Sequence, residues 1–149
     1  MSTNLPRRDF LKAAGASAAA LPFLSSKAFA GGLDTLKVGL VGCGGRGTGA
    51  AMQAISADPG VTLWSMGDLF ADRLASSHEG LMANFGARVD VPEERRHVGF
   101  DAYQKVIDEV DVVLFATPPV FRPMHLSAAV HAGCHVFCEK PVAVDGPGV

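Results

Sequence analysis

Leu36-Lys37-Val38-Gly39-Leu40-Val41 runs without a break into Gly42-Cys43-Gly44-Gly45-Arg46-Gly47, and this junction decides the fold. The first six residues make the β-branched and leucine-rich run of a short buried strand. The next six fit the spacing G-x-G-x-x-G, in which each glycine meets a different steric need. Gly42 allows the tight turn, Gly44 lets the backbone approach a pyrophosphate, and Gly47 lets the next helix pack close to the strand. That helix is expected over about Gly45 to Ser56, with Gly47, Ala50, Ala51, Ala54 and Ile55 on its inner face. Its N-terminal N–H groups and dipole would hold a diphosphate, with Cys43, Gly45 and Arg46 completing the loop around it.

Outward from this loop, Val61-Thr62-Leu63-Trp64-Ser65-Met66 reads as a second strand ending at Gly67-Asp68. Asp68 lies about twenty residues past the last glycine, where a carboxylate can bind the adenosine ribose hydroxyls of a dinucleotide. An acid there repels a ribose 2′-phosphate, so NAD is favoured over NADP, with Arg73 and Arg46 as cations that soften the preference. The plainer role for Asp68 is to begin a turn or to cap the helix that follows.

The rest of the chain repeats the rhythm of strand and helix. Leu74, His78, Leu81, Met82 and Phe85 form one stripe of a helix over Ala71 to Phe85, stopped by Gly86. A short third strand is expected near His97 to Gly99, after Glu93-Glu94-Arg95-Arg96, which reads as a solvated loop. Asp101 is placed to cap a helix carrying Tyr103, Val106, Ile107 and Val110, with Gln104 completing a capping box. Val110 to Ala116 is the clearest buried strand, ended by Thr117-Pro118-Pro119. A helix over about Pro123 to Ala132 directs Leu126, Ala129 and Val130 inward and stops at Gly133. His135 to Cys138 is the fifth strand. Such alternation predicts an α/β fold, a Rossmann-type doubly wound parallel sheet, with ligand at the C-terminal ends of the strands.

The N-terminus carries an address. Pro6-Arg7-Arg8-Asp9-Phe10-Leu11-Lys12 leads into a mild apolar stretch, Ala13 to Leu24, and then Ser25-Ser26-Lys27-Ala28-Phe29-Ala30. A basic start, a short apolar centre and an Ala-x-Ala end are the parts of an export signal, and the paired Arg7-Arg8 makes it the twin-arginine type. The sequence therefore divides into a signal over 1–30 and a cofactor-binding domain over 31–149. The translocase of that pathway becomes a partner, and the expected location is periplasmic or otherwise exported, after folding in the cytoplasm. A formal net charge of −2 with interspersed acids and bases argues against nucleic acid as a partner. Cys43, Cys134 and Cys138 are too few for a disulfide framework. No metal site is expected from Cys134, His135 and Cys138, because strand alternation turns His135 away from the two thiols.

The fifth strand delivers Glu139-Lys140-Pro141. Together with Thr117-Pro118-Pro119, His125, Ala132-Gly133 and His135-Val136, this resembles the Gfo/Idh/MocA family of oxidoreductases from Leu36 onward. The resemblance implies that Lys140 lies beside the nicotinamide as the catalytic residue and binds a substrate hydroxyl. It implies that Glu139 contacts the cofactor side and that Thr117 and Pro118 line the nicotinamide ribose region. Family members often read T-P-N with a histidine a few residues on; this chain has Pro119 in place of the asparagine, and His125 is carried over as the histidine. Chemistry supports the lysine independently, since a cation at a strand's C-terminal end can orient an alcohol for hydride loss.

The resemblance further implies a sixth strand and a second α+β domain holding the general base. The sequence stops at Val149 ahead of both, so an incomplete site and a fragment inactive by itself are expected. The functional expectation is the NAD-binding half of an exported oxidoreductase acting on a sugar, cyclitol or related polyol. The alternatives are a glycoside hydrolase of the same superfamily that oxidises its substrate transiently through NAD, and a non-catalytic cofactor-binding module. A homo-oligomer is compatible with either enzyme.

Overall fold

The computed structural model describes residues 35–149, and the twin-arginine signal lies outside them. Five parallel strands form one sheet: β1 (Leu36–Val41), β2 (Val61–Asp68), β3 (Arg96–Val98), β4 (Val112–Phe115) and β5 (His135–Cys138), in the order β3-β2-β1-β4-β5. Helices α1 (Gly45–Ala57), α2 (Ala71–Phe85), α3 (Ala102–Ile107) and α4 (Arg122–His131) make the crossovers. The chain leaves β1 in one direction through β2 and β3, then returns to pair β4 on the other side of β1. This reversal of winding opens a crevice at the C-terminal end of β1, where the glycine loop stands.

Alternation along the strands feeds two cores. Val38 and Leu40 of β1 and Leu114 of β4 pack with Ala50, Ala51 and Ile55 of α1 and Leu74 and Leu81 of α2. Val41, Val113 and Phe115 turn to the other face, against Tyr103, Val106 and Ile107 of α3 and Ala129 of α4. Phe115, Leu40, Ile55 and Leu63 are wholly enclosed, and each such side chain contributes roughly 1.5–3 kcal/mol by leaving water. Helices α2 and α4 stop where the glycines predict, because Gly86 and Gly133 take φ of +52° and +72°.

Several expectations are corrected in detail. β4 begins at Val112, because the Asp111 carboxylate caps the sheet by accepting from the Lys37 N–H at 2.8 Å. The Asp101 side chain does not cap α3; it reaches forward to Lys105 at 2.9 Å, while Gln104 donates to the Tyr103 hydroxyl. Met82 and Val130 face solvent, and the inner face of α4 is Arg122, His125 and Ala129 at helical spacing. Arg95 and Arg96 are half-buried, not solvated. The Arg95 guanidinium lies 3.6 Å from the Trp64 ring centre, and Nε of Arg96 donates to the Val91 carbonyl. Val136 and Cys138 of β5, with Cys134 just before it, do share the inner face while His135 turns outward, and the thiols of Cys134 and Cys138 are half-buried.

Candidate functional site

A cleft of about 480 Å³ opens where the strands end. Its lining is drawn from the C-terminal end of every strand, including Gly42 and Gly44 after β1, Asp68 of β2, Phe100 after β3, Thr117 after β4 and Lys140 after β5. Of the residues expected from sequence, Gly42, Gly44, Arg46, Asp68, Thr117, Pro118, His125, Glu139 and Lys140 come together there. Cys43 and Gly45 instead line a shallower groove between α1 and α2, and Gly47 lies beneath the loop.

The glycine loop has the shape a diphosphate needs. Gly42 takes φ of +96°, and a Cβ on it would lie 2.8 Å from the Ala116 carbonyl carbon. A Cβ on Gly47 would lie 1.8 Å from the Gly42 carbonyl oxygen, so only glycine lets α1 start this close to β1. A Cβ on Gly44 or Gly45 would meet nothing within 4 Å, which leaves open space above the first turn of α1. That turn holds no acidic residue and has no side-chain cap, so its N–H groups remain for an anion.

Asp68 does more than face the cleft. Its Oδ2 accepts from the Cys43 N–H at 2.6 Å and its Oδ1 from the Phe70 N–H at 2.9 Å. The carboxylate, 9% exposed, therefore locks the glycine loop to the end of β2 and starts the turn into α2. Each oxygen keeps lone-pair capacity for a further donor. The Cys43 thiol beneath the loop is buried and its pKa is raised, first by that burial and then by Asp68. It is a packing group, not a nucleophile.

At the other end of the cleft two arginines hold the Glu139-Lys140-Pro141 loop. Arg46, on the first turn of α1, pairs its guanidinium with the Glu139 carboxylate. Hydrogen bonding from Arg46 holds the Glu139 pKa below the usual carboxylate value. Arg122, on α4, is 5% exposed and donates to the backbone carbonyls of Thr117, Glu139 and Pro141. Lys140 is exposed, and its ammonium has no hydrogen-bond or ion-pair partner among the described residues.

His125 forms part of the floor. Its ring stacks 4.2 Å from Tyr103 and 6.0 Å from Phe121, and Nδ1 lies 3.3 Å from the Thr117 hydroxyl. Burial pushes its pKa down to about 4, so the imidazole is neutral at physiological pH. Sequence reasoning missed Arg122, Tyr103 and Phe121 as parts of this site. Arg122 left one trace, a cation on the first turn of a helix, where the dipole disfavours it.

Residues 36–146 match the profile of an oxidoreductase family described as having an NAD-binding Rossmann fold, GFO_IDH_MocA. The chain belongs to the Gfo/Idh/MocA family. Residues 4–21 also match the profile of the twin-arginine pathway signal, so this Gfo/Idh/MocA chain carries a signal for export across the membrane. A glycosyl hydrolase family 109 protein of Streptomyces coelicolor is 33% identical over 113 residues, covering 74% of this chain and 23% of the relative. Inositol 2-dehydrogenase 3 of Saccharopolyspora erythraea is 32% identical over 111 residues, covering 74% and 29%. Among solved structures, scyllo-inositol dehydrogenase from Lactobacillus casei, with bound NAD(H) and scyllo-inositol, superposes with a TM-score of 0.58 at 26% identity, covering 74% and 29%. A 3-ketoreductase from Actinomadura kijaniata, in complex with NADP and TDP-benzene, gives 0.55 at 27% identity, covering 76% and 32%. The chain spans about a quarter to a third of the length of the curated relatives it matches.

Proposed function

We propose that residues 31–149 hold NAD in this cleft and serve an exported oxidoreductase that acts on a sugar, cyclitol or related polyol. The observation that carries the reading is the convergence of three loops on one cleft: the glycine loop, Thr117-Pro118 and Glu139-Lys140. Gly42, Gly44 and the first turn of α1 would hold the diphosphate, Asp68 the adenosine ribose, and Thr117, Pro118 and Glu139 the nicotinamide end. When bound, NAD supplies the hydride acceptor or donor. Asp68 favours NAD over NADP because a buried carboxylate repels a 2′-phosphate.

Lys140 is the catalytic residue in this reading. Its free ammonium donates to a substrate hydroxyl and orients it beside the cofactor. An alcohol that loses hydride must also give up its hydroxyl proton. Among the described residues no side chain is placed to take it, since His125 is enclosed and engaged with Thr117. The chain alone is therefore expected to bind NAD and to turn nothing over, with the base supplied from outside residues 35–149.

A second reading is favoured by the Streptomyces coelicolor relative, named as a glycosyl hydrolase family 109 protein: glycoside hydrolysis, for which NAD held by the same residues would supply a hydride acceptor and, once reduced, the hydride returned to the sugar. Both readings use the same cleft. The periplasm is the destination we assign to the exported protein. The test is titration of the chain with NAD and NADP, followed by assays of its gene product in any longer form on cyclitols, free sugars and aryl glycosides. NADH that accumulates with cyclitols or sugars and stops in Lys140→Ala supports the redox reading. Aglycone release without net NADH supports the hydrolytic one. A cleft that binds neither dinucleotide refutes both.

A further inference from the structure

A lysine side chain is long and flexible, and the ammonium of Lys140 has no hydrogen-bond or ion-pair partner among the described residues. Only the backbone can decide where that ammonium stands. Arg122 grips this backbone. Its Nη1 donates to the carbonyls of Glu139 and Pro141, the residues on either side of Lys140. Its Nε donates at 2.9 Å to the carbonyl of Thr117, on the loop after β4. One planar group thus ties the loop that carries Lys140 to the loop after the neighbouring strand.

The placement is costly by local rules. A cation at the start of a helix opposes the dipole, and a buried guanidinium loses its hydration. Three carbonyl acceptors, with the Glu139 carboxylate nearby, offset those costs. Lysine could keep the charge but not the geometry, because a single nitrogen cannot span acceptors on two loops as a rigid fork does. The Glu139 side chain is separately held by Arg46 from α1. The loop is therefore fixed from two elements, and the exposed Lys140 side chain projects from it without a partner among the described residues.

We propose that Arg122 is the positioning residue for Lys140, clamping the backbone on both sides of it so that the ammonium reaches the nicotinamide end of the cleft. This rests on the reading of Lys140 given above. Arg122 itself need touch no substrate. Its removal displaces a charge and leaves the adenosine end of the cleft intact.

The test uses binding alone. The full chain, Arg122→Lys, Lys140→Met and the double variant are titrated with NADH, NAD+ and ADP-ribose by calorimetry and by NADH fluorescence. A cation at the nicotinamide end disfavours the positively charged oxidised ring. Lys140→Met should therefore narrow the preference for NADH over NAD+, by about fivefold for a solvent-screened charge. Arg122→Lys should narrow the same ratio by about threefold and leave ADP-ribose, which lacks nicotinamide, within about twofold of the parent. The double variant should match Lys140→Met alone, since the two residues act through one group. An unchanged ratio in Arg122→Lys overturns the proposal. So does a double variant in which the two effects multiply, or parallel losses of ADP-ribose and both dinucleotides, as a merely structural arginine would give. Should Arg122→Lys fail to fold, Arg122→Gln is read against the same outcomes. A parent that binds none of the three ligands refutes the cofactor reading itself. A ratio that ignores Lys140→Met refutes the placement of Lys140, so the failures are distinguishable.

Discussion

Asp68→Ala separates two roles that one carboxylate combines. The substitution leaves the Cys43 N–H, which is buried, and the Phe70 N–H, which water can reach, without their acceptor. A charge-assisted hydrogen bond to a buried donor contributes about 1.5–3 kcal/mol, and the partly exposed one about 0.5–1 kcal/mol. The variant should lose about 2–4 kcal/mol of stability, which lowers the melting temperature by about 10 °C for a domain of this size. Asp68→Asn keeps the shape, but its amide nitrogen must face one of the two donors, so it should fall between parent and alanine variant. Ribose binding is read separately. Loss of the acceptor should weaken NAD by about 10- to 100-fold, while relief of repulsion should narrow its advantage over NADP. Calorimetric melting and dinucleotide titration on the same samples measure both effects. An Asp68→Ala domain that melts with the parent refutes the lock on the glycine loop. A parent that binds NADP as tightly as NAD refutes the selectivity argument.

Other perturbations follow from the same geometry. His125 is neutral when folded and ionises near pH 6.5 when unfolded, so stability is full above that pH and declines as pH falls toward about 4. The decline should reach about 2.5 kcal/mol at pH 4.5 and vanish in His125→Phe, and urea midpoints at pH 7 and 4.5 that fall equally in both proteins would contradict it. Gly44→Ala should fold within about 0.5 kcal/mol of the parent yet bind NAD poorly, because its methyl enters open space meant for the diphosphate. Gly47→Ala should instead cost about 2–4 kcal/mol by driving α1 off β1, and the two variants are distinguished by melting against titration. Replacing Arg7 and Arg8 with lysine should hold the precursor in the cytoplasm, which fractionation and immunoblotting will show, and normal export would sink the assignment.

The fold was legible in the sequence because its determinants are local and periodic. Strand β1, the glycine spacing and the stripes of α1 and α2 each follow from residues within about fifteen positions of one another. Gly42, Gly44 and Gly47 have separate steric tasks that their spacing alone makes legible, because a missing Cβ matters wherever backbones meet. Asp68 and Glu139-Lys140 could be placed at strand ends, and strand ends in a parallel sheet share one side. The exported address is also purely sequential, since a receptor reads it as a linear signal.

Tertiary structure alone decided what those residues touch. Asp68 and Cys43 are 25 positions apart, and Arg46 and Glu139 are 93 apart; no periodicity relates such pairs. Sequence could give Asp68 a ribose to hold but could not show that the same carboxylate secures the loop. The inner face of α4 includes Arg122 and leaves Val130 in solvent, because the carbonyl acceptors on two loops outweigh apolar character there. A buried arginine violates every local preference and is explained only by three carbonyls from two loops that the sheet brings together. Long-range hydrogen bonds of this kind are satisfied by the fold as a whole, so the chain marks Arg122 only as a cation out of place at a helix start and does not show what it holds.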